Sequence, residues 1–272
     1  PHSWRKTNMS KHSALNTFGA SGNPIIRSSA FNDISSDPSD RMTLDGAVNK
    51  TGIMLAVLVS TATIAWNFST NPLVLMVGGI SFFAAVVAAV MTFGFYFPFI
   101  GWIVKPKPYN APKTWLVYSA GQGFFLGFFS LGFETAFPGI VLEAVSLTFF
   151  VAGSLLFAYK SGIIKPTQNF LLMVFAATMG IFLFYIFTLL YTLFTGVSPE
   201  IFSGSGNFSI GISLFVVGIA ALNLVLDFDI IEQSADNGAP KYMEYFGSMA
   251  LMATLIWLYI EILRLLAKMR QR

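Results

Sequence analysis

The chain has 272 residues, of which 55% are hydrophobic and 11% charged, against roughly 25% charged in an average soluble domain, so water is not its main solvent. Its formal net charge of +3 sits almost wholly in the ends and connections, where it marks topology rather than a nucleic-acid surface. With no cysteine in the chain, disulfides, thiolate catalysis and cysteine-ligated metals are excluded.

Residues 1 to 43 are polar, rich in Ser, Asn and Asp, and carry no apolar period, so they read as a flexible tail. No cleavable signal peptide is expected, since the first apolar run begins too late and runs too long. Seven helices are predicted after the tail: Ala47 to Asn67, Leu73 to Phe97, Trp115 to Phe133, Gly139 to Tyr159, Asn169 to Phe194, Ile210 to Phe228 and Tyr245 to Leu266. Each run is long enough to cross a hydrocarbon layer about 30 Å thick. The runs are continuously apolar rather than alternating, which excludes a membrane barrel. The expected fold is therefore an all-α polytopic membrane bundle over residues 44–268, with a mean hydropathy of +0.68.

Turn chemistry separates the runs: Asn71-Pro72, Lys105-Pro106-Lys107-Pro108, Phe137-Pro138-Gly139, Lys165-Pro166, Ser198-Pro199 and Asn237-Gly238-Ala239-Pro240. Pro98 should stop or kink the second helix, because proline removes a backbone donor. Gly123 and Gly127 in the third run have the GxxxG spacing that lets two helices approach closely, and helix packing outweighs a ligand role for them.

Lys and Arg alternate between connections. The N-terminal stretch carries Arg5, Lys6, Lys11, Arg27, Arg41 and Lys50, the second connection Lys105, Lys107 and Lys113, and the fourth Lys160 and Lys165, while the first, third and fifth carry none. This pattern places the N-terminus in the cytoplasm. The last helix is the exception, since seven crossings would put Arg264, Lys268, Arg270 and Arg272 on the other side. Either it spans despite its charges or it is re-entrant.

A carboxylate inside an apolar run is expensive and should face a bundle interior or a watery cavity. Three stand out: Glu143, Asp227 and Glu261. Glu143 lies about one turn into its helix and reads equally as an interfacial acid or as part of a pathway. Asp227 closes the sixth run with Asn223 one turn before it on the same face, while Asp229 points elsewhere as a solvated neighbour. Glu261 has Arg264 at i+3 as an intrahelical partner. The competing reading sets it against Asp227 across two helices, where a shared proton would couple their titration and gate a pore, or where both would offer hard oxygen ligands to calcium.

The run Tyr118-Ser-Ala-Gly-Gln-Gly-Phe-Phe-Leu-Gly, the Val141-Leu-Glu143-Ala segment, the Asp227-Phe-Asp motif and the closing Trp257-Leu-Tyr-Ile-Glu-Ile-Leu-Arg-Leu-Leu together resemble the Bax inhibitor family, over about residues 45 to 268 and closest to its bacterial YccA-like branch. The resemblance implies six helices around a central seventh, a bacterial inner membrane, and a pH-sensitive calcium leak. It also implies two acids sharing hydrogen bonds, at the positions of Asp227 and Glu261. The chain departs from the pattern in carrying Glu rather than Asp at the second place. It also has neither an arginine nor an acid in its second helix to latch the pair; Lys105 alone lies near that helix's end.

Three functions compete. The leading one is an ion leak gated by carboxylates, with calcium or protons as the ions and no other cofactor. The second is a regulatory protein that binds a membrane protease or another membrane complex through the polar tail. The third, an intramembrane enzyme, is disfavoured: no GxGD, HExxH, Walker or dinucleotide motif is present, and the two histidines, His2 and His12, both lie in the tail.

Overall fold

The computed structural model describes residues 40–97 and 101–272. The flexible-tail reading of residues 1–39, and Pro98, lie outside the described residues. Among those described, seven helices are long and apolar enough to cross a membrane: α1 (Leu44–Asn67), α2 (Pro72–Phe93), α3 (Ala111–Ala136), α4 (Ile140–Lys160), α5 (Gln168–Thr195), α6 (Asn207–Asp236) and α7 (Tyr242–Arg270). The starts of α1, α2 and α5 are set by Thr43, Asn71 and Thr167, whose side chains accept backbone N–H groups of the first turn. The chain is thus an all-α polytopic membrane protein.

α2 stops at Phe93, short of the predicted Phe97. Gly94 turns the chain with a φ of 75°, and a side chain there would run into the carbonyl oxygen of Val104. The following residues form a short antiparallel hairpin, β1 (Phe95–Phe97) with β2 (Gly101–Val104), pairing Phe95 with Val104 and Phe97 with Gly101. An apolar segment of aromatic and β-branched residues suits a strand as well as a helix.

At the other end of the chain, α6 runs about two and a half turns beyond Asp227. No breaker interrupts it before Asn237 and Gly238, the latter at a φ of 72°. Asp227 therefore lies inside the helix rather than at its end. α7 is one continuous helix of 29 residues, long and apolar enough to cross a membrane.

α7 is the axis of the bundle: 56% of its spanning window is buried, against 11% for α5 and 17% for α1, α2 and α4. It packs against α1, α3, α4 and α6, whereas α2 rests mainly on α3, and α5 on α6. The expected ring of six resolves into four inner neighbours and two outer helices. The outer two still reach the axis through side chains, as where Phe93 meets Phe246 with ring centroids 5.3 Å apart.

Lipid tails are as apolar as leucine, so close approach rather than burial holds such helices together. Gly123 and Gly127 show how. A Cβ on Gly127 would come within 2.5 Å of the Ala62 carbonyl oxygen and 2.7 Å of the Ala65 Cβ, so the GxxxG face of α3 is the seam against α1. The main core gathers Met54, Leu58, Leu224, Phe246, Met249 and Leu263 around α7. A smaller cluster of Ile181, Val216 and Ile219, packed by Trp257, lies between α5, α6 and α7.

Residues 40–43, predicted as the end of the tail, are built into the fold. Met42 is 3% exposed and donates its N–H to the Ala239 carbonyl at 2.6 Å, the Lys241 N–H donates to the Asp40 carbonyl at 2.8 Å, and Arg41 bridges to Pro240. The segment thus runs beside the turn joining α6 to α7.

Candidate functional site

Ser209 and Ser213 meet Lys268, and Ile231 lies against Gly247. These contacts fix α6 and α7 in an antiparallel register that levels Asp227 with Leu251 and Glu261 with Val217. The two carboxyl groups are then offset by about ten residues, or about 15 Å along the helix axis. This corrects the expected pair, because a direct proton exchange requires hydrogen-bond distance. Among the described residues no group of three or more Asp, Glu or His gathers to hold a metal.

The two acids instead occupy successive levels of a polar line between α5, α6 and α7. Asp227 is fully buried. One turn along α6, Asn223 donates from Nδ2 to Thr178 Oγ1 at 2.8 Å and to the Ile219 carbonyl at 2.9 Å, while its buried Oδ1 accepts no hydrogen bond. The apolar cluster of Ile181, Val216, Ile219 and Trp257 comes next. Beyond it, Glu261, 2% exposed, accepts the Tyr185 hydroxyl at 2.6 Å. Arg264 Nη1 lies 3.4 and 3.5 Å from the Glu261 oxygens and donates to the Tyr185 hydroxyl at 3.2 Å. The intrahelical Arg264 partner is therefore real, but Tyr185 makes the shorter contact. Thr178, Ile181 and Tyr185 recur at i, i+3 and i+7 on one face of α5, the one sequence signal that ties Tyr185 to this line.

Lys268 closes the line at the end where α7 finishes. Its side chain is buried, and its Nζ donates to Ser209 Oγ at 2.8 Å and Ser213 Oγ at 2.9 Å. Arg270, 30% exposed, pairs with Glu143, 53% exposed, at 2.7 Å and donates to the Pro138 carbonyl at 2.7 Å. Glu143 is thus an interfacial acid, away from the polar line. Of the four cations that offended the charge rule, two are withdrawn into the bundle and a third is matched by Glu143.

Asp229 departs from its reading as a solvated neighbour. It is half-buried and accepts from Tyr159 Oη at 3.1 Å and Gln233 Nε2 at 2.7 Å, and Tyr159 also donates to Glu232. Sequence reasoning missed Glu244 altogether. At the start of α7 it is 1% exposed and binds Lys50 of α1, and it accepts the Thr43 N–H at 2.9 Å and the Thr43 hydroxyl at 3.0 Å. An acid in the first turn of an apolar helix looks like an ordinary interfacial residue, so nothing in the sequence set it apart.

A separate apolar groove of about 440 Å³ runs between α1, α3, α4 and α7, bordered by Leu58, Trp66, Val145 and Ile256. Its polar floor, Ser130 and Tyr259, is satisfied by a mutual hydrogen bond of 2.6 Å, and none of the acids on the polar line borders it.

Seven helices long and apolar enough to cross a membrane, one of them buried at the centre of the other six, with ionisable groups stacked in the interior, define a polytopic integral membrane protein. No curated protein and no solved structure matches the chain significantly. The family model described as Bax inhibitor 1 like matches residues 23–271, nearly the whole sequence, and the chain belongs to that family.

Proposed function

We propose that this protein is a proton-responsive cation leak, with calcium as the conducted ion, and that Asp227 and Glu261 serve as two successive stations rather than as a single hydrogen-bonded pair. The observation that carries this reading is the stack of buried oxygen groups between α5, α6 and α7: Asp227, the unpartnered Asn223 Oδ1, and Glu261 with Tyr185. Intramembrane carboxylates of this kind mark ion and proton pathways. The apolar layer of Ile181, Val216, Ile219 and Trp257 between the two stations supplies a constriction that closes by dewetting. Glu261 faces Tyr185 from α5, Arg264 on its own helix, and Lys268 two turns on. Protonation removes its negative charge and with it the attraction for a cation, so conduction falls as pH falls. The N-terminal face is assigned to the cytoplasm of a bacterial inner membrane, in line with the YccA-like resemblance and with the withdrawal of Arg264 and Lys268 from the opposite face.

The test is calcium flux into vesicles reconstituted with the purified chain, followed across pH. Flux should decline toward acid pH in the wild type and drop in Asp227→Asn and Glu261→Gln. Flux indifferent to pH and to both substitutions would refute the reading.

A further inference from the structure

The end of the polar line nearest the α7 C-terminus holds a cation belonging to the chain itself. Glu261, Arg264 and Lys268 recur at i, i+3 and i+7, so all three project from one face of α7. The ammonium of Lys268 is buried and surrounded by oxygens of α6: Ser209 Oγ at 2.8 Å, Ser213 Oγ at 2.9 Å and the Ser209 carbonyl at 3.5 Å. Hydroxyl and carbonyl oxygens gathered on one positive charge are the donor set that a small monovalent cation would take on leaving water. Buried lysines in a membrane face the bundle interior and mark the ion route.

α6 supplies this seat because Ser209 and Ser213 fall at i and i+4 and project from one face. The same stripe runs on through Val216 and Ala220 to Asn223 and Asp227. Ser209 is also anchored, donating its hydroxyl to the Ile201 carbonyl at 2.8 Å, which leaves its lone pairs for the ammonium. Any cation moving between Glu261 and the face where α7 ends must displace this ammonium or pass beside it, and Arg264 adds a second positive charge in the approach.

We infer that the oxygens of Ser209 and Ser213 form a monovalent-cation seat at the mouth of the polar line, and that the Lys268 ammonium fills it as a tethered plug. The inference rests on the leak reading for its physiological sense, but the seat and its occupant are defined by geometry alone. Removing the charge while keeping most of the length of the side chain empties the seat without opening a large cavity in the bundle.

The experiment compares wild type, Lys268→Met, Lys268→Arg and the Ser209→Ala/Ser213→Ala double variant, each purified whole, checked for a single gel-filtration peak, and reconstituted in vesicles. Potassium and calcium fluxes are read separately. Lys268→Met should raise potassium flux about tenfold, equivalent to about 1.4 kcal/mol off the barrier, while Lys268→Arg stays near wild type. The double serine variant keeps the charge but loses its acceptors, and should leak more than wild type and less than Lys268→Met. It carries the test should Lys268→Met fail to fold.

A wild type without calcium flux beside a Lys268→Met variant that passes potassium would uphold the plug and overturn the calcium leak. A wild type with pH-responsive calcium flux, unchanged in Lys268→Met and in the double serine variant, would overturn the plug and keep the leak. Absence of any flux from every variant would overturn both.

Discussion

Replacing Gly123 with alanine would push a methyl group into α1. The added carbon would lie 3.0 Å from Leu58 Cα and nearer still to the Leu58 carbonyl oxygen and Thr61 Oγ1. Two of these three atoms are backbone and have no rotamer into which to retreat, so α1 and α3 must part along their seam. Overpacking of this kind costs about 1–3 kcal/mol. Alanine is also a better helix former than glycine by about 1 kcal/mol, which blurs a comparison with wild type. Gly132→Ala removes that difficulty, because it sits in the same helix and receives the same propensity gain, yet its Cβ would meet nothing within 4 Å. The clash alone separates the two variants. At roughly 2–4 °C per kcal/mol for a chain of this size, Gly123→Ala should melt roughly 2–12 °C below Gly132→Ala. Fluorescence-detected thermal unfolding in one detergent, with gel filtration of the heated samples, measures the difference. Equal melting temperatures, or a more stable Gly123→Ala, would refute the close-packed seam.

Lys50→Met should destabilise strongly, because Glu244 is buried and would lose its counter-charge; about 3–5 kcal/mol is usual for breaking such a pair, and the two Thr43 donors that remain place the loss toward the lower end. Denaturant titration of the detergent-solubilised protein reads it, and a cost below about 1 kcal/mol, the range of exposed pairs, would contradict the buried assignment. Arg270→Ala is the converse case. Its pair with Glu143 is largely exposed, so the change should fall within about 1 kcal/mol of wild type in the same titration.

The helical architecture was legible because the membrane imposes a simple demand: backbone groups must be satisfied internally, so each crossing is a long apolar run, and Pro and Gly mark where each ends. The GxxxG spacing was readable for the same reason, since only small residues permit that approach. The hairpin after Gly94 was not, because Phe95–Phe97 is as apolar as the helix before it, and the turn depends on how close Val104 returns. The acids were recognised as unusual but were paired through their motifs, whereas their levels depend on register. That register rests on Ile231 against Gly247 and Lys268 between two serines, contacts that no single helix encodes. Lys268 itself looked like an interfacial cation at a helix end, and its burial depends on the neighbouring placement of α6.

The backbone pairing of residues 40–42 with the α6–α7 turn has a mechanical consequence. Its backbone hydrogen bonds to Ala239 and Lys241 and the Arg41 bridge to Pro240 come before α1 in the chain. Tension on the preceding residues is therefore delivered first to the junction of the two helices that bear Asp227 and Glu261, and only afterwards to α1. An N-terminal segment anchored to another body would tug on that junction before it reached α1, converting a tether into a lever.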